Sequence, residues 1–247
     1  MGMKPKIAIF DFGCCEGCQL QIVNLEEHLL DLIGLVDVRQ WREAMSEHAD
    51  DYDIALVEGS ITRESEIPRL QAIRQQAKVL VALGACAHTG GVNALKNQRP
   101  MAEALQTVYG EQASAFDTIP TRPLSAVVQV DLAVPGCPID RTELVEVVKA
   151  LLLGKTPALP TYPVCVQCKM AENTCVFDLG LTCMGPVTRA GCRAICPSFG
   201  NRCLGCRGLI PDPNVNAHKE VLAEHGRTVE DILAEYRLFG GAEEERP

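Results

Sequence analysis

Four short apolar runs in this chain each hand over to a loop that carries a residue able to do chemistry. Lys6–Asp11 (KIAIFD) leads into GCCEGC, Asp53–Val57 (DIALV) into VEGSI, Lys78–Leu83 (KVLVAL) into GACAHTGG, and Ala126–Val134 (AVVQVDLAV) into PGCPID. A fifth run, Leu35–Trp41, alternates weakly. Between them, apolar residues recur at helical spacing over 19–33, 67–76, 101–108 and 141–153. Near-continuous apolar strands alternating with helices predict a parallel sheet covered on both faces.

The expected fold class is therefore α/β, a flavodoxin-like doubly wound sheet of about five strands. In such a sheet the carboxyl ends of the strands share one edge, and ligands bind there at the topological switch point. Cys15 and Cys18, Glu58, Cys86 and Cys137 all fall at such ends, so cysteines 50 or more residues apart are expected to meet around one cofactor. Glycine or proline flanks the cysteines at these turns (Gly84, Gly90, Gly91, Gly136, Pro138), which permits tight turns and leaves N–H groups free to bond cluster sulfides. Cys14 reads as an inert, small apolar residue. Four thiolates suit either a cubane iron–sulfur cluster or a zinc ion. Glu16 and Glu58 are the acidic groups nearest this edge. Either carries protons or orients a partner there, or is simply an exposed or interface carboxylate. His88 reads as a solvated or hydrogen-bonded histidine rather than a ligand.

The proline-rich GKTPALPTYP marks a boundary, giving a domain over 1–155 and a second over 156–247. From there to about Asn214 no periodicity survives, so this stretch is expected to lack a core of its own and to be held by metal instead. It carries eight cysteines: Cys165, Cys168, Cys175, Cys183, Cys192, Cys196, Cys203 and Cys206. Cys-x2-Cys pairs at both ends would serve two zinc sites, whereas Cys196 followed by Pro197 is a ferredoxin-like step. How the eight divide into quartets is not readable. Arg189 and Arg207 would partly offset cluster charge or merely solvate the surface. Residues 217–239 read as helical, with Thr228 and Asp231 as a capping pair, and the tail AEEERP as frayed.

The chain has 247 residues, 47% apolar and 22% charged, enough to bury a core. A net charge of −9 argues against nucleic acid or an anionic membrane as partner. No apolar run reaches the ~18 residues of a membrane span, and the amino terminus has neither a long apolar stretch nor a cleavage site. A cytoplasmic location is expected, and there thirteen cysteines mean metal rather than disulfides. No GxGxxG follows a strand and no GxxxxGK[ST] occurs, so electrons would enter and leave through partners.

Together GCCEGCQLQIVNLEEHL, VEGSI, GACAHTGGVNAL and PGCPID resemble the small subunit of nickel–iron hydrogenases, and the cysteine-rich tail resembles the delta subunit of cytoplasmic NAD(P)-linked hydrogenases and sulfhydrogenases. The resemblance implies an electron-transfer subunit of an oxidoreductase with three 4Fe–4S clusters. Cys15, Cys18, Cys86 and Cys137 would hold the proximal cluster, and the eight later cysteines the other two. It implies a separate large subunit bearing the nickel–iron site, and flavin- or NAD(P)-binding or iron–sulfur partner subunits. Hydrogen would not be split by this chain alone. The adjacent Cys14 and Cys15 resemble instead the quinone-reducing subunit of respiratory complex I. The alternative is accordingly a complex I-like or heterodisulfide-reductase-linked electron carrier.

Overall fold

The structure is a computed structural model and describes residues 4–240; the tail AEEERP lies outside them. Five parallel strands form one sheet in the order β2-β1-β3-β5-β7, with β1 at Lys6–Asp11, β2 at Asp37–Trp41, β3 at Ile54–Glu58, β5 at Val79–Leu83 and β7 at Leu132–Val134. Two further strands, β4 (Ile61–Arg63) and β6 (Thr118–Arg122), make a separate antiparallel ribbon. The helices are α1 (Gly17–Val23), α2 (Glu27–Leu35), α3 (Glu66–Gln76), α4 (Gly84–Thr89), α5 (Met101–Tyr109), α6 (Arg141–Leu152), α7 (Val164–Met170), α8 (Ile195–Ser198), α9 (Val215–Glu224) and α10 (Val229–Gly240).

The central strands are apolar on both sides because both faces are covered. On β1, Ile7 and Ile9 join Leu56, Val81, Leu83 and the α6 residues Leu144, Val147 and Val148 in one core. Ala8 and Phe10 point the other way, into a core with Val57, Leu80 and the α3 residues Leu70 and Ile73. The strand order reverses between β1 and β3, which defines the switch point. The pairing puts Asp11, Glu58, Leu83 and Val134 in one row across the sheet. That row decides where the following residues go: Cys86 and Cys137 each come three residues after it, and the Cys14–Cys18 loop and Gly59 leave from the same edge.

The run Ala126–Val134 departs from expectation, since only Leu132–Val134 pairs in the sheet. One residue before the strand, Asp131 holds Leu80 twice: its N–H donates to the Leu80 carbonyl at 3.0 Å and its Oδ2, which also ion-pairs with Arg74, accepts the Leu80 N–H at 2.8 Å. Val127 and Val128 pack against the α3-side core instead. The helical stretch at 19–33 is broken at Glu26, whose φ is 55°, and the stretch at 217–239 is two helices separated at Gly226, with φ 78°. Thr228 and Asp231 do form the reciprocal cap, with Asp231 Oδ2 accepting the Thr228 N–H at 3.1 Å and Thr228 Oγ1 accepting the Asp231 N–H at 3.2 Å.

The cysteine-rich segment is not coreless. Val164, Val176, Met184, Val187 and Ala194 are buried together with Cys183 and Cys203. The sequence hides this cluster because its members come from turns and short helices, which carry no period. The C-terminal helices extend it: His218 Nε2 donates to the Cys183 carbonyl at 2.9 Å, and Tyr236 packs against the cluster.

Candidate metal centre

The loop after β1 turns back on the sheet edge and starts α1 with Glu16 in a left-handed conformation, φ 62°. The carboxylate of Glu58, at the end of β3, receives the N–H groups of Cys18 and Gln19, each at 3.1 Å. It thereby satisfies two of the donors that open the helix. Glu58 is 2% exposed. Burial pushes its pKa up, and the two amides pull it down. Its part at this edge is to hold the Cys18 loop. Glu16 is half-buried and ion-pairs with Arg42 at 2.9 Å, as does Asp11 at 2.8 Å.

The structure brings Cys15, Cys18, Cys86 and Cys137 to one place. Burial, then the thiols of Cys137 and Cys15, push Cys86 up to about 12, and Cys18 has both Glu58 and Cys86 among its charged neighbours. Ala85 N–H donates to the Gly136 carbonyl at 2.7 Å, which ties the α4 turn to the Cys137 turn. Glycine backs three of these sulfurs. A Cβ on Gly91 would stand 3.1 Å from Cys86 Sγ, one on Gly17 3.3 Å from Cys15 Sγ, and one on Gly84 would collide with Cys18 Sγ. Cys15 and Cys137 are exposed at the rim, whereas Cys18 is buried.

Cys14 is turned elsewhere. It lines a cavity of about 570 Å³ with Gly13, Asn93 and Lys96, and its charged neighbours are Glu58, Glu16 and Asp11 rather than thiols. Burial first, then those carboxylates, holds it up at about 12.

The eight later cysteines fall into two neighbourhoods. Cys165 is pushed up to about 11 by burial and then by Cys183, Cys168 and Cys175. A Cβ on Gly185 would touch both Cys183 Sγ, at 3.2 Å, and Cys165 Sγ, at 3.4 Å. Cys192, Cys196, Cys203 and Cys206 instead line a cavity of about 340 Å³ whose wall includes Cys137. Cys206 is raised to about 11: burial pushes it up most, the backbone amide of Cys137 pulls it down, and Cys192, Cys137 and Cys196 add to the rise. The two neighbourhoods touch where the Cys203 N–H donates to Cys183 Sγ at 3.3 Å. Among the described residues no three His, Cys, Asp or Glu side chains close on a single-ion site.

The donor chemistry fits iron–sulfur centres. Soft thiols stand in fours, with glycines leaving room beside them and backbone N–H groups aimed at sulfur, as Gly185 and Cys203 are at Cys183. Burial raises Cys18, Cys86, Cys137, Cys165, Cys183, Cys196, Cys203 and Cys206 and so favours their thiol form, and binding metal on them must release protons.

His88 is half-buried and stands beside Gly208 of the cysteine-rich segment. Burial, followed by Arg189 and Arg207, pushes it down to about 4. Arg207 is no surface residue: it is 1% exposed and ion-pairs with Glu143 at 2.7 Å. Sequence reasoning missed this pair, and also the Trp41 Nε1 to Gln19 Oε1 bond at 2.9 Å that braces α1 against β2. Partners so far apart in the chain leave no local signal.

The chain matches the family described as the NADH ubiquinone oxidoreductase 20 kDa subunit over residues 15–151, ending before the cysteine-rich segment. It is 36% identical over 222 residues to sulfhydrogenase 2 subunit delta of Pyrococcus furiosus, covering 89% of this chain and 92% of that one. It is 31% identical to a subunit of the F420-non-reducing hydrogenase of Methanocaldococcus jannaschii, covering 93% and 91%. A chain in the crystal structure of an NAD+-reducing [NiFe]-hydrogenase in the H2-reduced state superposes with a TM-score of 0.59 at 28% identity, covering 64% of this chain and 96% of that one. By these likenesses the chain belongs to the 20 kDa subunit family of NADH ubiquinone oxidoreductase and, within it, to the small, delta-type subunits of hydrogenases.

Proposed function

We propose that this hydrogenase small subunit relays electrons through three 4Fe–4S clusters, between a nickel–iron site on a partner large subunit and a flavin- or NAD(P)-binding or iron–sulfur subunit. The observation that carries this reading is the convergence of Cys15, Cys18, Cys86 and Cys137 on the strand-end row, with Cys206 next to Cys137 and Cys203 next to Cys183. Cys15, Cys18, Cys86 and Cys137 would hold the first cluster, facing the large subunit. Cys192, Cys196, Cys203 and Cys206 would hold the middle one, and Cys165, Cys168, Cys175 and Cys183 the outer one. The order in space then differs from the order in sequence. Each cluster would supply a one-electron station. The protein's own part is to hold thiolates at fixed spacing, to aim amides at sulfur and to keep the buried stations out of water. The proximal edge, with Cys15 and Cys137 exposed, is open to a partner.

A cytoplasmic setting fits thirteen unpaired thiols, and among the described residues no helix is long and apolar enough to cross a membrane. The second reading, a complex I-like carrier without hydrogenase activity, draws support from the family description and the Cys14–Cys15 pair. Against it, Cys14 lines a separate cavity, and relatives spanning nine-tenths of the chain are hydrogenase subunits. Metal analysis of this chain by itself, loaded with iron and sulfide, tests the relay. About twelve irons in this chain, four per cubane, are expected; about four irons accompanied by zinc would overturn it.

A further inference from the structure

Two arginines of the cysteine-rich segment each follow a cysteine directly, and each reaches back to the stretch just after Cys137. Arg193, next to Cys192, ion-pairs with Asp140 at 2.7 Å. Arg207, next to Cys206, places Nη2 2.7 and 2.8 Å from the two carboxylate oxygens of Glu143. Asp140 and Glu143 are the cap and first turn of α6, the helix that the Cys137 turn leads into.

The two pairs differ in kind. Arg193 is exposed, and a pair of that sort holds little. Arg207 is fully buried and all three of its guanidinium nitrogens are bonded: besides Glu143, Nη1 donates to the Pro135 carbonyl at 2.6 Å and Nε to the Ala190 carbonyl at 2.9 Å. Pro135 lies two residues before Cys137, and Ala190 two before Cys192. One guanidinium therefore grips both flanks of the Cys137 turn and the approach to Cys192 while its own backbone carries Cys206. The site is shaped for it, since a Cβ on Gly191, whose φ is 120°, would collide with both Arg207 and Glu143.

We propose that Arg207 is a positioning residue that sets the separation between the sheet-edge centre and its neighbour in the cysteine-rich segment. The inference rests on the iron–sulfur reading above. It goes further in naming the group that fixes the gap electrons must cross. Geometry, rather than charge alone, is the requirement: Nη2 meets both Glu143 oxygens while Nη1 and Nε of the same planar group reach two carbonyls, a span that a single ammonium cannot cover.

The test uses the full chain loaded with iron and sulfide, with iron content measured first. Reduced samples are read by electron paramagnetic resonance for the magnetic splitting between neighbouring centres, and by redox titration for midpoint potentials. Arg207→Lys keeps the charge and loses the three-way span. It is expected to keep its iron and its potentials and to lose the splitting of the native chain. Glu143→Gln leaves the contacts to Pro135 and Ala190 in place and is expected to weaken the splitting while folding normally. Arg193→Met is expected to leave it unchanged. Native splitting in Arg207→Lys overturns the proposal, as does loss of splitting in Arg193→Met alone. Failure of Arg207→Lys to load iron, with native splitting in Glu143→Gln, also overturns it. A native chain that loads two adjacent centres without any splitting overturns the positioning role, whereas a native chain that loads no iron overturns the iron–sulfur reading itself.

Discussion

Glu58 and Cys18, 40 residues apart in sequence, meet at the switch point, where a Glu58 carboxylate oxygen accepts the Cys18 N–H at 3.1 Å in a buried setting. The other oxygen takes the Gln19 N–H at the same distance. Glu58→Ala strands both donors out of reach of water. An unsatisfied buried group costs about 1–3 kcal/mol, so a loss of several kcal/mol is expected in thermal or denaturant unfolding of the iron-free chain. Glu58→Gln keeps one good acceptor and turns an NH2 toward the second donor, and should fall between. Native stability in Glu58→Ala would show that the carboxylate does not hold the loop.

Cys14 and Cys15 are neighbours in sequence with opposite surroundings. Cys15 Sγ sits against Gly17 with Cys86 and Cys137 nearby, while Cys14 lines another cavity and has carboxylates rather than thiols as its charged neighbours. Cys15→Ser is expected to lose one cluster's worth of iron, about four atoms, and Cys14→Ser none. Iron content with the visible spectrum checks this, and the reverse result would move the ligand to Cys14.

Gly84 is constrained twice. Its φ is 83°, and a Cβ there would strike Cys18 Sγ. Gly84→Ala is expected to cost about 1–2 kcal/mol from the left-handed backbone alone. It should also push Cys18 out of line, so that iron at the sheet edge falls while the cysteine-rich segment keeps its own. Selective loss of iron checks the second effect, since backbone strain by itself would leave the metal in place.

How far the sequence reveals this architecture depends on whether a signal is local. The strands β1, β3 and β5 are readable because burial on both faces makes every position apolar, and the strand-end cysteines follow from the parallel order alone. Ala126–Val134 is equally apolar apart from Gln129 and Asp131, yet it joins β5 at Asp131, whose backbone and side chain both bond Leu80, a start that no apolar pattern marks. The division of the eight later cysteines is illegible because spacing does not encode which turns pack together; that Cys165 and Cys183 share the space beside Gly185 is a tertiary fact. Arg207 belongs with these, since nothing near it in sequence announces Glu143.

His218 links the C-terminal helices to the cysteine-rich segment and should make their docking sensitive to acid. The Cys183 carbonyl can only accept, so Nε2 carries the proton and Nδ1 accepts from the Tyr236 hydroxyl at 2.7 Å. Burial holds the folded pKa of His218 below its ordinary 6.5. Folded His218 therefore stays neutral when the unfolded chain has begun to bind a proton. Its contribution to stability is fully present above about pH 6.5 and is lost as pH falls from there through the depressed folded value. Thermal unfolding of the chain between about pH 7.5 and 5 is expected to show a falling midpoint. Replacing the imidazole with a group that does not titrate, in His218→Gln, should flatten that slope while lowering the midpoint at neutral pH, because the amide cannot reach both Cys183 and Tyr236. An unchanged slope in His218→Gln would assign the acid sensitivity to other groups.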